Sequence, residues 1–232
     1  MKLIIANWKM NPPTLKQAQA LLRAVEKARA KCKVVIAPPV IYLPQLKTRF
    51  DLCAQDLYWE DSGPYTGKIS ASMLKRFKVK YAIVGHSELR ASGDTDEIVN
   101  KKIKAALAAG IEPVLCVGYG LSQGEDEEQV MFELKQQLDV DLKDVDRSKI
   151  IVAYEPAWAI SGGDPYALKQ KPTPDHAEKI AMFIKIKYKV KKVLYGGSTE
   201  ARTAAGYLEA GVDGLLVGGA SLHAQEFIKM IS

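Results

Sequence analysis

The chain has 232 residues, of which 47% are hydrophobic and 26% charged, a composition typical of an ordinary soluble globular protein. No apolar run approaches about 18 residues, so the sequence predicts no membrane-spanning helix and no membrane partner. The net charge of +6 fits either a nucleic-acid partner or an anionic small substrate. The sequence has no basic run interleaved with aromatic residues, the pattern of a nucleic-acid groove, so we expect no nucleic-acid partner.

The cysteines and the first residues indicate a cytoplasmic protein. Cys32, Cys53 and Cys116 are an odd number without metal-ligand spacing, which argues against a disulfide framework or a zinc site. The chain begins with a strand-like run and shows no apolar core and cleavage site of a secretory signal. We therefore expect a reducing cytoplasm and no bound metal.

Short apolar runs alternate with helical patterns eight times, which predicts an α/β fold with eight βα units closed into a (β/α)8 barrel. A doubly wound open sheet has the same alternation, but no Gly-x-Gly-x-x-Gly follows the first strand. We expect residues 1–232 to form one domain. The predicted strands are 3–6, 34–37, 52–54, 81–84, 113–117, 150–154, 193–195 and 214–217, and the helical patterns include 14–30, 95–109, 125–138, 174–188 and 200–210.

Reactive groups and glycines follow several of these strands. Such barrels keep their chemistry at the C-terminal ends of the strands and commonly bind phosphate after the last two. Each motif alone is a weak signal, since a lone histidine is more often a buried structural one and a lone lysine a surface charge. The strand ends are Asn7-Trp8-Lys9 after the first strand, Gly85-His86-Ser87-Glu88 after the fourth, Gly196-Gly197-Ser198 after the seventh and Gly218-Gly219-Ala220-Ser221 after the eighth.

The sixth predicted strand carries a carboxylate out of the core. Glu155 follows this apolar run and precedes Pro156, which ends the strand. A carboxylate in this position is a candidate catalytic base at the barrel mouth, although the same stretch fits a strand end with an incidental glutamate equally well. The Ser-Gly-Gly that follows at 161–163 suits a loop that moves or approaches an anion closely.

Taken together, these residues resemble the triosephosphate isomerase family over essentially the whole chain and in order. The matching motifs are Asn-Trp-Lys-Met-Asn at 7–11, Gly-His-Ser-Glu at 85–88, Ala-Tyr-Glu-Pro-Ala-Trp-Ala-Ile at 153–160, Tyr-Gly-Gly-Ser at 195–198 and Leu-Val-Gly-Gly-Ala-Ser at 216–221. The resemblance implies a single-domain TIM barrel that interconverts dihydroxyacetone phosphate and D-glyceraldehyde 3-phosphate in glycolysis and gluconeogenesis. It implies no metal and no organic cofactor.

The resemblance also implies roles for individual residues. Glu155 would be the base, His86 a neutral imidazole that hydrogen-bonds the substrate oxygens, and Lys9 a fixed positive charge. Asn7 would help to position the substrate and Lys9, and Glu88 resembles the family's buried acid near Lys9. The substrate phosphate would lie on backbone N–H groups around Ser161, Ser198, Gly218 and Gly219.

A protruding third loop, residues 54–67, implies a homodimer in which Thr66 reaches the partner's active site. Several positions depart from the family pattern. Lys68 and Leu89 stand where a glutamate and an arginine usually pair across the interface, and Tyr119 stands where a glutamate usually accepts a hydrogen bond from the lid tryptophan. The segment after Gly163 is about six residues longer than usual.

Two alternatives to the isomerase remain at this point. Another sugar-phosphate barrel enzyme, such as an epimerase, would carry metal ligands at its strand ends, and the sequence shows no His/Asp cluster of that kind. A non-catalytic protein that keeps only the phosphate site would be expected to lack Glu155 or His86, and both are present. We therefore favour the isomerase.

Overall fold

The computed structural model describes residues 1–159 and 171–232, and its eight strands form a closed parallel barrel in chain order. This confirms the (β/α)8 TIM barrel over the open sheet, and every predicted strand is found to within two residues. The strands are β1 (Leu3–Asn7), β2 (Lys33–Ala37), β3 (Asp51–Ala54), β4 (Val79–Val84), β5 (Glu112–Val117), β6 (Ile151–Tyr154), β7 (Lys192–Tyr195) and β8 (Gly214–Val217).

Helices surround the barrel, and none of them, within the part of the chain just given, is long and apolar enough to cross a membrane. Side-chain oxygens of Thr14, Ser70, Thr95, Asp126 and Thr173 cap helix starts, which explains where five helices begin. The predicted helices are confirmed, although the first ends four residues early. The helices are α1 (Leu15–Glu26), α2 (Ala71–Arg76), α3 (Ser87–Ala91), α4 (Asp96–Ala108), α5 (Glu127–Asp141), α6 (Pro174–Tyr188), α7 (Ala201–Ala210) and α8 (Ala224–Ile231).

Side chains alternate between the inside of the barrel and the layer under the helices, because successive residues of a strand point to opposite faces. In β1, Leu3 and Ile5 belong to the inner cluster, whereas Ile4 and Ala6 pack in the outer one. The inner cluster consists of Leu3, Ile5, Val35, Ala37, Cys53, Tyr81, Ile83, Val114, Cys116, Ile151, Ala153, Leu194 and Leu216.

The same alternation continues one step beyond the inner cluster and sets the composition of the barrel mouth. The next inward positions are polar at the ends of three strands and glycine at the ends of four others. The polar residues are Asn7, Gln55 and Glu155, and the glycines are Gly85, Gly118, Gly196 and Gly218. The mouth therefore combines a few fixed polar side chains with empty space.

A buried ion network anchors α3 beneath the mouth. The Arg90 guanidinium donates to Gly85 O, to Asp96 and to Asp141, at 2.7 Å in the last case. Asp141 is 0% exposed, and burial raises the pKa of its carboxyl well above the ordinary value even though Arg90 opposes this. This network fixes the helix that begins directly after His86.

We expect Arg90→Met to lower the free energy of unfolding by about 3–5 kcal/mol, because it leaves the Asp141 charge buried without its partner. The double variant Arg90→Met/Asp141→Leu should be more stable than Arg90→Met alone. Urea unfolding of both, with Arg23→Met on the exposed side of α1 as the control, measures the effect. A loss below about 1 kcal/mol for Arg90→Met would show that the network is not important for stability.

Candidate active site

A narrow cleft opens at the C-terminal end of the barrel, where β1, β4, β6, β7 and β8 converge. It brings together every catalytic and substrate-binding residue predicted from the sequence except Ser161, which lies outside the described residues. The cleft is lined by Asn7, Lys9, His86, Glu155, Gly196, Gly197, Ser198, Thr199, Leu216, Gly218 and Gly219.

Glu155 is held at the mouth by its strand and by two glycines. Its N–H donates to Val117 O at 2.8 Å, which continues the pairing of β6 with β5. A Cβ atom at Gly196 would lie 2.5 Å from Glu155 Cγ, and one at Gly118 would lie 2.8 Å from Glu155 O. Glycine at 196 therefore leaves room for the Glu155 side chain, and glycine at 118 leaves room for its backbone carbonyl.

The Glu155 carboxyl lies in an environment that makes it a stronger base. The residue is 2% exposed, and burial raises its pKa above the ordinary value, while His86, Cys116 and Lys9 act in the opposite direction. Burial also raises the pKa of the Cys116 thiol well above its usual range, so Cys116 stays protonated beside the carboxylate. Glu155 Oε2 has no hydrogen-bond partner within residues 1–159 and 171–232 and is free to accept a proton.

His86 faces Glu155 as a neutral imidazole. The Glu88 N–H, in the first turn of α3, donates to His86 Nδ1 at 3.2 Å. A nitrogen that accepts a hydrogen bond carries no proton, so the ring proton resides on Nε2. That nitrogen points to the cleft, 3.7 Å from Glu155 Oε1.

Lys9 holds an unusual backbone conformation that directs its side chain into the same cleft. Its φ is +52°, in the left-handed region, and its N–H donates to Asn7 Oδ1 at 3.0 Å. Gln55 Nε2 donates to Lys9 O at 2.9 Å and to Ala37 O at 2.8 Å. Gln55 was not predicted from the sequence as a site residue, although its position two residues after the inward-facing Cys53 indicates the barrel mouth.

The Lys9 ammonium pairs with Glu88 Oε1 at 2.9 Å. Glu88 lies near Lys9, as the resemblance implies, but in the single chain its side chain is 54% exposed and not buried. Glu88 follows His86 by two residues on a short helix, so its carboxylate extends past the mouth into the neighbouring cleft.

The opposite end of the cleft is suited to an anion. A 3-10 helix, Gly219–Leu222, starts here with Gly218 as its first flanking residue, and the first N–H groups of a helix have no acceptor within it. The Ser221 N–H and Oγ both donate to Gly218 O, at 2.9 and 2.7 Å, which fixes the turn. The Ser198 N–H donates to Ala159 O at 2.9 Å, so in this conformation it is not available to a ligand.

Comparison with known proteins identifies the family. The family model described as triosephosphate isomerase matches residues 2–232. The triosephosphate isomerase of Thermoanaerobacter pseudethanolicus is 38% identical over 99% of the chain and 98% of the relative. That of Paracidovorax citrulli is 40% identical over 100% of the chain and 97% of the relative. That of Picosynechococcus sp. is 39% identical over 100% of the chain and 98% of the relative. Because the family model matches nearly the full length, the chain belongs to the triosephosphate isomerase family.

Proposed function

We propose that this chain interconverts dihydroxyacetone phosphate and D-glyceraldehyde 3-phosphate by proton transfer through an enediolate. The observation that carries the proposal is the meeting of His86 Nε2 and the Glu155 carboxylate, 3.7 Å apart, in a cleft with the Lys9 ammonium. A coupled assay that follows each triose phosphate into the other tests it directly.

Glu155 acts as the general base. Removal of a proton from the carbon beside a carbonyl requires a base on one side and electrophiles near the oxygens, because negative charge develops on oxygen as the enediolate forms. The Glu155 carboxylate takes the proton from one substrate carbon and returns it to the next, while the hydroxyl proton passes from one substrate oxygen to the other. The raised pKa of this carboxyl increases its affinity for the proton.

His86, Lys9 and Asn7 serve the substrate oxygens. The Nε2–H of His86 donates a hydrogen bond to the carbonyl oxygen, and this bond strengthens as charge develops there. The Lys9 ammonium supplies a fixed positive charge at the same end of the cleft, with its backbone held by the Asn7 side chain. These groups are in place before the reaction, so they need no reorganisation at the transition state.

The phosphate binds at the start of the Gly219–Leu222 helix, on the N–H groups near Gly218 and Gly219. Ser161 and Ser198 would complete this site, and the Ser198 N–H requires release from Ala159 to do so. Binding of a group distant from the reacting carbon provides energy to organise the remainder of the site.

A homodimer completes the site. A cleft of about 330 Å³ lies beside Lys9 and His86, and Val40, Lys68 and Leu89 line its outer part. Met10 and Ile41, which follow the lining residues Lys9 and Val40 in the sequence, are apolar side chains that are 92% and 65% exposed. The loop tip at Tyr65 and Thr66 of a second copy, inserted here, would cover these side chains and bury the Glu88 carboxylate.

The cytoplasm is the proposed location. All three cysteines are free, with Cys53 and Cys116 buried inside the barrel. Unpaired thiols in this number are typical of a reducing compartment.

Glu155→Asp should lower kcat by at least about tenfold, which corresponds to about 1.4 kcal/mol, and should change KM much less. The shorter side chain retracts the carboxylate from the reacting carbon and leaves the phosphate contacts intact. Steady-state kinetics in both directions measure this, with Glu128→Asp on the exposed face of α5 as the control. A kcat within about threefold of the parent would show that Glu155 is not the base.

Glu155→Gln should stabilise the folded chain at neutral pH while lowering kcat at least about a hundredfold, the usual contribution of a general base. The unfolded glutamate has a pKa of about 4.3, and the folded pKa lies above it, so ionisation costs more in the folded state. This penalty is absent below about pH 4, grows as the pH rises from the unfolded pKa towards the folded pKa, and is constant above the folded pKa.

Thermal unfolding of parent and variant across this pH range measures the difference. The variant should melt at a higher temperature near pH 7–8, and the gap should close in acid. A gap that is independent of pH would mean that the stabilisation does not come from the Glu155 charge.

Tyr65→Ala should weaken the dimer, because the Tyr65 ring, 38% exposed and packed on Tyr58 with centroids 4.8 Å apart, forms the rigid tip of the docking loop. Sedimentation over a range of concentrations measures this, with Phe132→Ala on exposed α5 as a matched control. A monomeric parent, or equal dimerisation of Tyr65→Ala and the parent, would contradict the proposal.

A further inference from the structure

A groove of about 530 Å³ lies at the N-terminal end of the barrel, on the face opposite the active site. Two chain segments form it, the stretch 43–52 that leads into β3 and the stretch 76–80 that leads from α2 into β4. Both precede their strands, whereas Gln55 and His86 follow β3 and β4 at the mouth. The depth of the barrel therefore separates the groove from the catalytic cleft.

The groove is strongly cationic. Its lining contains five basic side chains and one acidic one, so its formal charge is +4 in a chain whose net charge is +6. The basic residues are Lys47, Arg49, Arg76, Lys78 and Lys80, and the acidic residue is Asp51. Asp51 is already paired, with Lys80 at 2.6 Å and with Lys33 at 3.1 Å, so it leaves no free negative charge to balance the others.

Three of the cations have no counter-charge of their own. Arg49 donates to the last carbonyls near α1, at Glu26 O and Ala28 O, but Lys47, Arg76 and Lys78 make no ion pair or hydrogen bond through their side chains within residues 1–159 and 171–232. All three are exposed. Like charges in one groove repel one another, and a multivalent anion relieves this repulsion.

One feature beside the cations points to a ligand. Phe77, between Arg76 and Lys78, is 46% exposed and lines the same groove. An aromatic ring beside several cations suits the base of a phosphorylated nucleoside.

We propose that this groove binds an oligophosphate chain, the anion whose several charges match the unpaired cations Lys47, Arg76 and Lys78. Charge-assisted hydrogen bonds from the guanidinium and the two ammonium groups hold successive phosphates. The oligophosphate comes from one of two sources, an inorganic polyphosphate or the phosphate tail of a nucleotide. The Phe77 ring distinguishes them, because only a nucleotide has a base to stack on it.

Calorimetric titration with inorganic tripolyphosphate tests the proposal on the full chain at low and at physiological ionic strength. The double variant Lys47→Ala/Arg76→Ala should bind at least about tenfold more weakly, since two charge-assisted contacts are lost. Lys16→Ala/Lys104→Ala, which removes the same charge from exposed helix faces, should bind like the parent. Parent-level isomerase activity of the groove variant shows that it is folded.

Three results would overturn the proposal: no binding at about 10 mM ligand, an equal loss in both double variants, or loss in Lys9→Ala with retention in the groove variant. The last would place the anion in the catalytic cleft.

A parallel titration with ATP, in the parent and in Phe77→Ala, identifies the source. A weaker affinity of Phe77→Ala for ATP alone indicates a nucleotide, and unchanged affinity for both ligands indicates the inorganic chain.

Discussion

The two-residue period of a β-strand governs where every group of the site lies. Inward side chains fill the barrel as far as Ile5, Ala153 and Leu194, and the next inward position in each strand necessarily faces the mouth. Asn7 and Glu155 occupy two such positions, and Gly196 occupies a third. The alternation that builds the core thus also delivers the chemistry, and a shift of one residue in any strand would turn its functional side chain into the helical layer.

This arrangement buries charge, and the structure compensates for it unevenly. The Glu155 carboxylate has one oxygen without a partner, and burial raises its pKa, whereas Lys9 and His86 act to lower it. Asp141 likewise has one oxygen without a partner and a raised pKa, but its other oxygen pairs with Arg90 at 2.7 Å. Of these two buried carboxyl groups, Glu155 is the one that lines the cleft. Burial of the Glu155 carboxyl lowers the stability of the fold at the position where a base is needed. The Arg90 network nearby holds α3, and with it His86, in place.

The glycines at the mouth have two different roles. A side chain at Gly196 or Gly118 would collide with Glu155, so these residues make space for the base and leave room for a substrate above it. Gly218 lies at the start of the short helix that offers backbone N–H groups to an anion. The mouth therefore has an apolar floor, a few fixed polar groups and an empty middle, and each is specified by a different inward position of the strands.

The sequence by itself determined the barrel, because apolar alternation is a local pattern, and the strand ends together with the family resemblance predicted most of the candidate site. Asn7, Lys9, His86, Glu155, Gly218 and Gly219 were named in this way and lie around one cleft. Three features depend on residues distant in the chain, and only the tertiary structure decided them. Gln55 supports Lys9 from the end of β3, Glu88 is exposed in the single chain, and the cations of 47–49 and 76–80 face one groove. Local patterns specify which way a side chain points, but contacts between separate strands and loops arise only when the barrel closes.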